Sequence, residues 1–168
     1  MSSLEEPHRS SPRPKSEHNT YCFSPFEHPE GNVTMNTKPI LTGTELDAML
    51  SAALMEAGRL GLAATIALVD DGGYALRLHR TDGAGPMTPT VALAKARTAA
   101  LMRAPSGALT ARLKDEPELL RLTEYLPMPG GQPIRHDGIC MGGIGVSGGN
   151  PAQDEAIAQA GLDALKSV

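Results

Sequence analysis

Hydrophobic spacing divides the chain into helices and hairpins. From Thr44 to Leu60 the residues Leu46, Leu50, Ala53, Leu54, Ala57 and Leu60 recur at intervals that share one helical face. Thr44 reads as the N-cap, Glu45 and Asp47 lie in the first turn where negative charge meets the helix dipole, and Gly61 reads as the C-terminal stop. The period then changes. Residues 63–69 (AATIALV) form an unbroken apolar run, DDGG marks a turn, and YALRLH alternates apolar with polar residues, as a half-covered strand does. Together they predict a first β-hairpin. After the loop RTDGAGPM, Thr88 and Pro89 open a second helix, TPTVALAKARTAALMR, whose alanines let helices approach closely, within the domain or across an oligomer interface. Pro105 ends it, Ser106 is expected to cap a third helical stretch reaching about Leu113, and DEPELLRLTEYL holds one more short helix before PMPGG.

The stretch from Pro129 to Ala160 predicts the remaining elements. HDG, between PI and ICM, is a two-residue hairpin signal, because Asp and Gly tolerate the positive φ that such turns need. From Ile139 to Ser147 apolar residues alternate with Gly, and Gly inside a strand marks the close approach of another backbone, a ring or a ligand. Asn150, Pro151 and Gln153 supply an N-cap, a first-turn proline and a box-like partner, so a last helix starts at Pro151. The order helix, hairpin, helices, hairpin, helix argues an α/β (α+β) fold with helices against an antiparallel sheet.

Composition alters this picture mainly at the N-terminus. Residues 1–38 are rich in Ser, Pro, His and charge and lack periodicity, so they read as a disordered or loosely attached arm ahead of one domain over 39–168. Met35 stands just before the first patterned element and is the expected natural start. The net charge of −4, without a basic run, gives no electrostatic footprint for nucleic acid. Three of the five aromatic residues, Tyr21, Phe23 and Phe26, lie in the arm, so base-stacking platforms are not expected either. Cys22 and Cys140 suit a reducing compartment better than a disulfide framework, with one bridge left open. The chain contains neither a membrane-spanning apolar run nor a signal-peptide core, and the expectation is a soluble cytoplasmic protein.

Three blocks, ALVDDGGYALRLHRTDGA, ALAKARTAAL and LPMPGGQPIRHDGICMGGIGVSGGNPAQDEAIAQAG, resemble in order and spacing the GlcG/HbpS family of haem-binding and haem-associated proteins, related to the C-terminal domain of PduO-type proteins. The resemblance runs from about Leu41 to Val168. It implies an antiparallel, roughly five-stranded sheet flanked by helices, assembly as a homo-oligomer, and haem as the ligand. It also implies an axial His near the first helix. Here TELDAMLSAALMEAGRL contains none, so a haem ligand has to come from elsewhere.

His79, which leads into a Gly-rich loop, is the candidate iron ligand and, alternatively, a general acid or base; an ordinary strand-end His is the competing reading. His136, in a turn beside Arg135 and Asp137, could serve in the same ways but reads more simply as an exposed turn residue. Lys95 and Arg97 on the Ala-rich helix are candidates to hold a haem propionate or a small-molecule carboxylate, against the commoner role of a Lys stem that covers apolar surface while its charge reaches water. Met87 and Met141 are soft ligands only if they are not packing. Gly143, Gly145 and Gly148 match GxGxxG, but the βαβ context is missing. Gly145, Ser147 and Gly149 match GxSxG, but no His follows Ser147. What survives at Gly148, Gly149 and Asn150 is a possible anion site at a helix N-terminus. The leading reading is a small oligomeric protein holding haem, or a related planar or anionic ligand, between the Ala-rich helix and the Gly-rich strand, as an accessory to a catabolic or redox pathway. The alternative is an enzyme acting on a small organic acid through His79, with Lys95 or Arg97 holding the carboxylate.

Overall fold

The computed structural model describes residues 37–121 and 125–165, so the arm expected over 1–38 lies almost wholly outside the described residues. Helix α1 (Gly43–Arg59) is followed by strands β1 (Thr65–Asp70) and β2 (Ala75–Arg80), helix α2 (Thr88–Met102), the short helix α3 (Ala108–Arg112) and a 3-10 turn (Pro117–Arg121). Strands β3 (Gly131–His136) and β4 (Ile139–Ser147) and helix α4 (Pro151–Leu165) complete the fold. The sheet has the order β2-β1-β4-β3, with every neighbouring pair antiparallel. Among the described residues it has four strands, where about five were expected.

Local chemistry explains most of the boundaries. The N-cap of α1 is Thr42 rather than Thr44: its hydroxyl accepts the Glu45 N–H, while the Glu45 carboxylate accepts the Thr42 N–H at 2.7 Å. This reciprocal pair satisfies two donors that the first turn leaves orphaned. The Thr42 N–H and then its hydroxyl hold the Glu45 carboxyl below the usual carboxylate range. Asp137 and Gly138 both take positive φ, 47° and 78°, as a two-residue hairpin turn requires. Ser106 caps nothing; it is fully buried, accepting the Gly131 N–H at 3.0 Å and donating to the Met128 carbonyl, and so ties the loop after α2 to the start of β3.

The sheet is covered on both sides. Helices α1 and α4 pack together over one face, where Met49, Ile66, Leu68, Ile134, Ile144, Val146 and Ile157 are fully buried. Helix α2 covers the other, against Ala67 and Val69. Double cover is why β1 reads as a continuous apolar run, since it is central and buried on both faces. The edge strand β2 is largely open to solvent, whereas β3 is exposed only at its end, at Arg135 and His136. Among the described residues no helix is long and apolar enough to cross a membrane.

Candidate functional site

The Gly-rich strand explains why α2 is built from alanine. A Cβ added at Gly145 would collide with the Ala92 carbonyl oxygen, one at Gly143 with that of Ala96, and one at Gly131 with that of Lys95. The backbone of α2 therefore lies directly on β4 and the start of β3. This corrects the expected ligand slot between the Ala-rich helix and the Gly-rich strand: the small side chains are filled contact, and the helix itself is what approaches.

Lys95 stands at the end of that contact and is 3 % exposed. Its ammonium donates to Asp154 Oδ2 at 2.7 Å and to the Val146 carbonyl at 3.0 Å. Asp154 Oδ1 in turn accepts the Gly149 N–H at 2.9 Å. Lys95 thus ties α2 to the first turn of α4 through the end of β4, and its charge does not reach water. The anion at the N-terminus of α4 is the chain's own Asp154, placed where the helix dipole favours a carboxylate. Asn150 and Gln153 close that terminus reciprocally, Asn150 Oδ1 accepting the Gln153 N–H at 3.0 Å and Gln153 Oε1 the Asn150 N–H at 2.9 Å. At Gly148, a side chain would run into Ala63 and Ala64. The sequence carried one signal for this pairing. Asp154 shares the buried face of α4 with Ile157, Ala158 and Gly161, and a carboxylate there needs a cation.

The other expected residues lie apart. Arg97 runs over Gly73 at the β1–β2 turn and, with Thr90, Leu93 and Ala94, lines an open depression on the outer side of α2. His79 is exposed on the edge strand β2 opposite Ile66, hence on the α1/α4 side of the sheet. Of His79, Lys95, Arg97, Gly148 and Gly149, only Lys95 and Gly149 meet, through Asp154. Met87 is exposed and Met141 is core. The GxGxxG and GxSxG matches fall on β4 and its exit, and β4 is antiparallel to both neighbours, so neither a βαβ unit nor a nucleophile elbow exists there. Among the described residues no group of three or more His, Cys, Asp and Glu side chains is placed to hold a metal ion.

A cleft that the sequence did not announce opens between the edge strand β3 and the C-terminal half of α4, lined by Pro133, Arg135, His136, Gln159, Leu162 and Leu165. Its walls are two half-buried leucines and a proline ring. His136 is a paired strand residue opposite Ile139, rather than part of the turn itself. Its Nε2 lies 3.5 Å from Asp137 Oδ2, and its charge adds a smaller downward pull on Glu45 at the start of α1. The Arg135 guanidinium is engaged elsewhere, donating to the carbonyls of Gly138 and Arg103.

The family model described as haem degrading protein HbpS-like matches residues 41–163. The chain belongs to the HbpS-like family. Protein GlcG of Escherichia coli is 34 % identical over 114 residues, 67 % of this chain and 85 % of that protein. A crystal structure of a double mutant of Streptomyces reticuli HbpS superposes with a TM-score of 0.73 at 34 % identity, over 77 % of this chain and 89 % of that one. A crystal structure of a PduOC–haem complex gives a TM-score of 0.71 at 27 % identity, over 75 % of this chain and 95 % of that one. The HbpS-like fold thus agrees with the mixed α and β architecture read from the sequence.

Proposed function

We propose that this HbpS-like chain binds haem, or a related planar anionic ligand, at its surface and works as a homo-oligomeric accessory to a catabolic or redox pathway in the cytoplasm. The observation that carries the ligand is the PduOC–haem complex, which shares the fold over nearly the whole of that chain. The family description, a haem degrading protein, supports the same ligand class. Packing supports a surface site, because the interior between α2 and β4 is closed by backbone contact.

Haem needs an iron donor and an apolar wall, and the described residues contain both. An imidazole is the donor to expect, and His79 and His136 are the two among the described residues, both exposed. Pro133, Leu162 and Leu165 offer the wall. When bound, haem would supply redox chemistry; the protein's part is to hold it and set the environment of the iron. Assembly is supported by α2, whose outer residues Leu93, Ala94 and Leu101 are apolar on a helix apolar on its inner side too.

Titration of the purified protein with haemin, followed in the visible spectrum, tests the reading. A saturable Soret shift is expected, and a featureless titration overturns it. Sedimentation of the same sample should show more than one copy per particle.

A further inference from the structure

Resting on the haem reading above, the geometry points to His136 as the iron ligand and to the cleft between β3 and α4 as the seat of one edge of the macrocycle. Two features separate His136 from His79. The first is shape and surface. His136 borders a cleft with Leu162, Leu165 and Pro133 on its walls, so a planar apolar ring entering there loses water on carbon surface while its polar edge stays in solvent. His79 stands on the opposite edge strand, where Leu78 and Arg80 beside it are exposed as well.

The second feature is charge. The His136 imidazole has Asp137 beside it and lies within electrostatic reach of Glu45, and the Arg135 guanidinium next to it is held by the carbonyls of Gly138 and Arg103; His79 shares its strand with Arg80 and with Arg77, which pairs with Asp47. The ferric centre itself is positive, so a carboxylate beside the ligating imidazole favours it, whereas guanidinium groups suit the propionates at the other edge of the ring rather than the iron. Asp137 approaches the Nε2 side of the ring at 3.5 Å, which leaves Nδ1 as the nitrogen turned away from the carboxylate and available to iron. The imidazole is held by a rigid element, since His136 is the last paired residue of β3 and the two-residue turn that follows is fixed by positive φ at Asp137 and Gly138. Arg135 acts here as a positioning residue. Its guanidinium clamps the Gly138 carbonyl to that of Arg103 and so keeps the hairpin in place beside α2.

The test uses the full chain freed of haem and titrated with haemin, comparing wild type, His136→Ala, His79→Ala and Leu162→Asp. The inference expects His136→Ala and Leu162→Asp each to weaken binding by at least about tenfold, with His136→Ala also losing the imidazole-ligated spectrum. Free imidazole should restore that spectrum in His136→Ala. His79→Ala should match wild type. Both histidines are exposed, so thermal melting should show every histidine variant folded. If wild type takes up no haem, the haem reading itself falls. If wild type binds and His136→Ala is indistinguishable from it, only the assignment of His136 is overturned, whether ligation then follows His79 or one of His8, His18 and His28.

Discussion

The two faces of the sheet are packed in opposite ways. Beneath α1 and α4, large aliphatic side chains interdigitate, and Ile66, Leu68, Ile144 and Val146 fill the space between helix and sheet. Beneath α2 almost nothing stands between the backbones: Gly131, Gly143 and Gly145 face the carbonyls of Lys95, Ala96 and Ala92. One face gains stability from apolar area, roughly 1.5–3 kcal/mol for each large side chain buried. The other gains it from close van der Waals contact over many small atoms. Small residues along a strand therefore do not signal room for a ligand. They signal contact wherever a helix of matching small residues exists to be seated.

That contrast can be broken most sharply at the glycines. Gly145→Ala adds one methyl group where only the Ala92 and Ala96 backbone can receive it, so destabilisation beyond the about 1–3 kcal/mol of ordinary overpacking is expected. On the other face, Ile144→Val removes one methylene and should cost about 0.5–1.5 kcal/mol. Urea unfolding of the two variants gives the comparison directly. A Gly145→Ala protein with the wild-type midpoint would show that α2 is not seated as described.

An effect of comparable size is expected at the ion pair that closes the α2 face. Lys95→Ala leaves Asp154 buried without its cation and should cost about 3–5 kcal/mol, whereas the double variant Lys95→Met with Asp154→Leu should recover most of that loss. If the double variant is as unstable as the single one, the Gly149 N–H left without its acceptor dominates, and the pair is needed for its hydrogen bonds more than for its charge.

The smallest effect belongs to the α1 cap. Thr42→Ala removes the hydroxyl from the capping pair and should lower stability by about 1 kcal/mol. Glu45 has its carboxyl lowered by Thr42, so its contribution is present above the ordinary carboxylate pKa and fades as the pH falls through the lower folded value. The gap between wild type and Thr42→Ala should accordingly be full near neutrality and shrink in acid. Because Thr42→Ala keeps the Thr42 N–H bond to Glu45, a gap that stays constant down to strongly acidic pH would rule out the carboxylate only as the acceptor of the Thr42 hydroxyl.

How much of this was legible in the sequence varies from residue to residue. Helical spacing located α1, the Thr88–Pro89 opening of an Ala-rich run located α2, the cap residues Asn150, Pro151 and Gln153 located α4, and the turn residues Asp70 to Gly73 and Asp137–Gly138 located both hairpins, because these depend on period, capping and φ preferences that each residue carries with it. The cap of α1 was misplaced by two residues, since Thr42 and Thr44 look alike until the Glu45 side chain is seen to fold back on Thr42. Ser106 looked like a cap because short hydroxyl residues before a helix usually are; its partners, Met128 and Gly131, come from a distant part of the chain.

By itself, then, the sequence determined the elements, their order and the resemblance to the GlcG/HbpS family. Only the tertiary structure decided what the glycines of β4 approach, that Lys95 spends its charge on Asp154, and that His136 borders a cleft while His79 stands on an open edge. The physical reason is the range of the interactions. Helical period, caps and turns are settled within a few residues, whereas the pairing of Lys95 with Asp154 or of β3 with α4 depends on which surfaces meet when apolar area is buried.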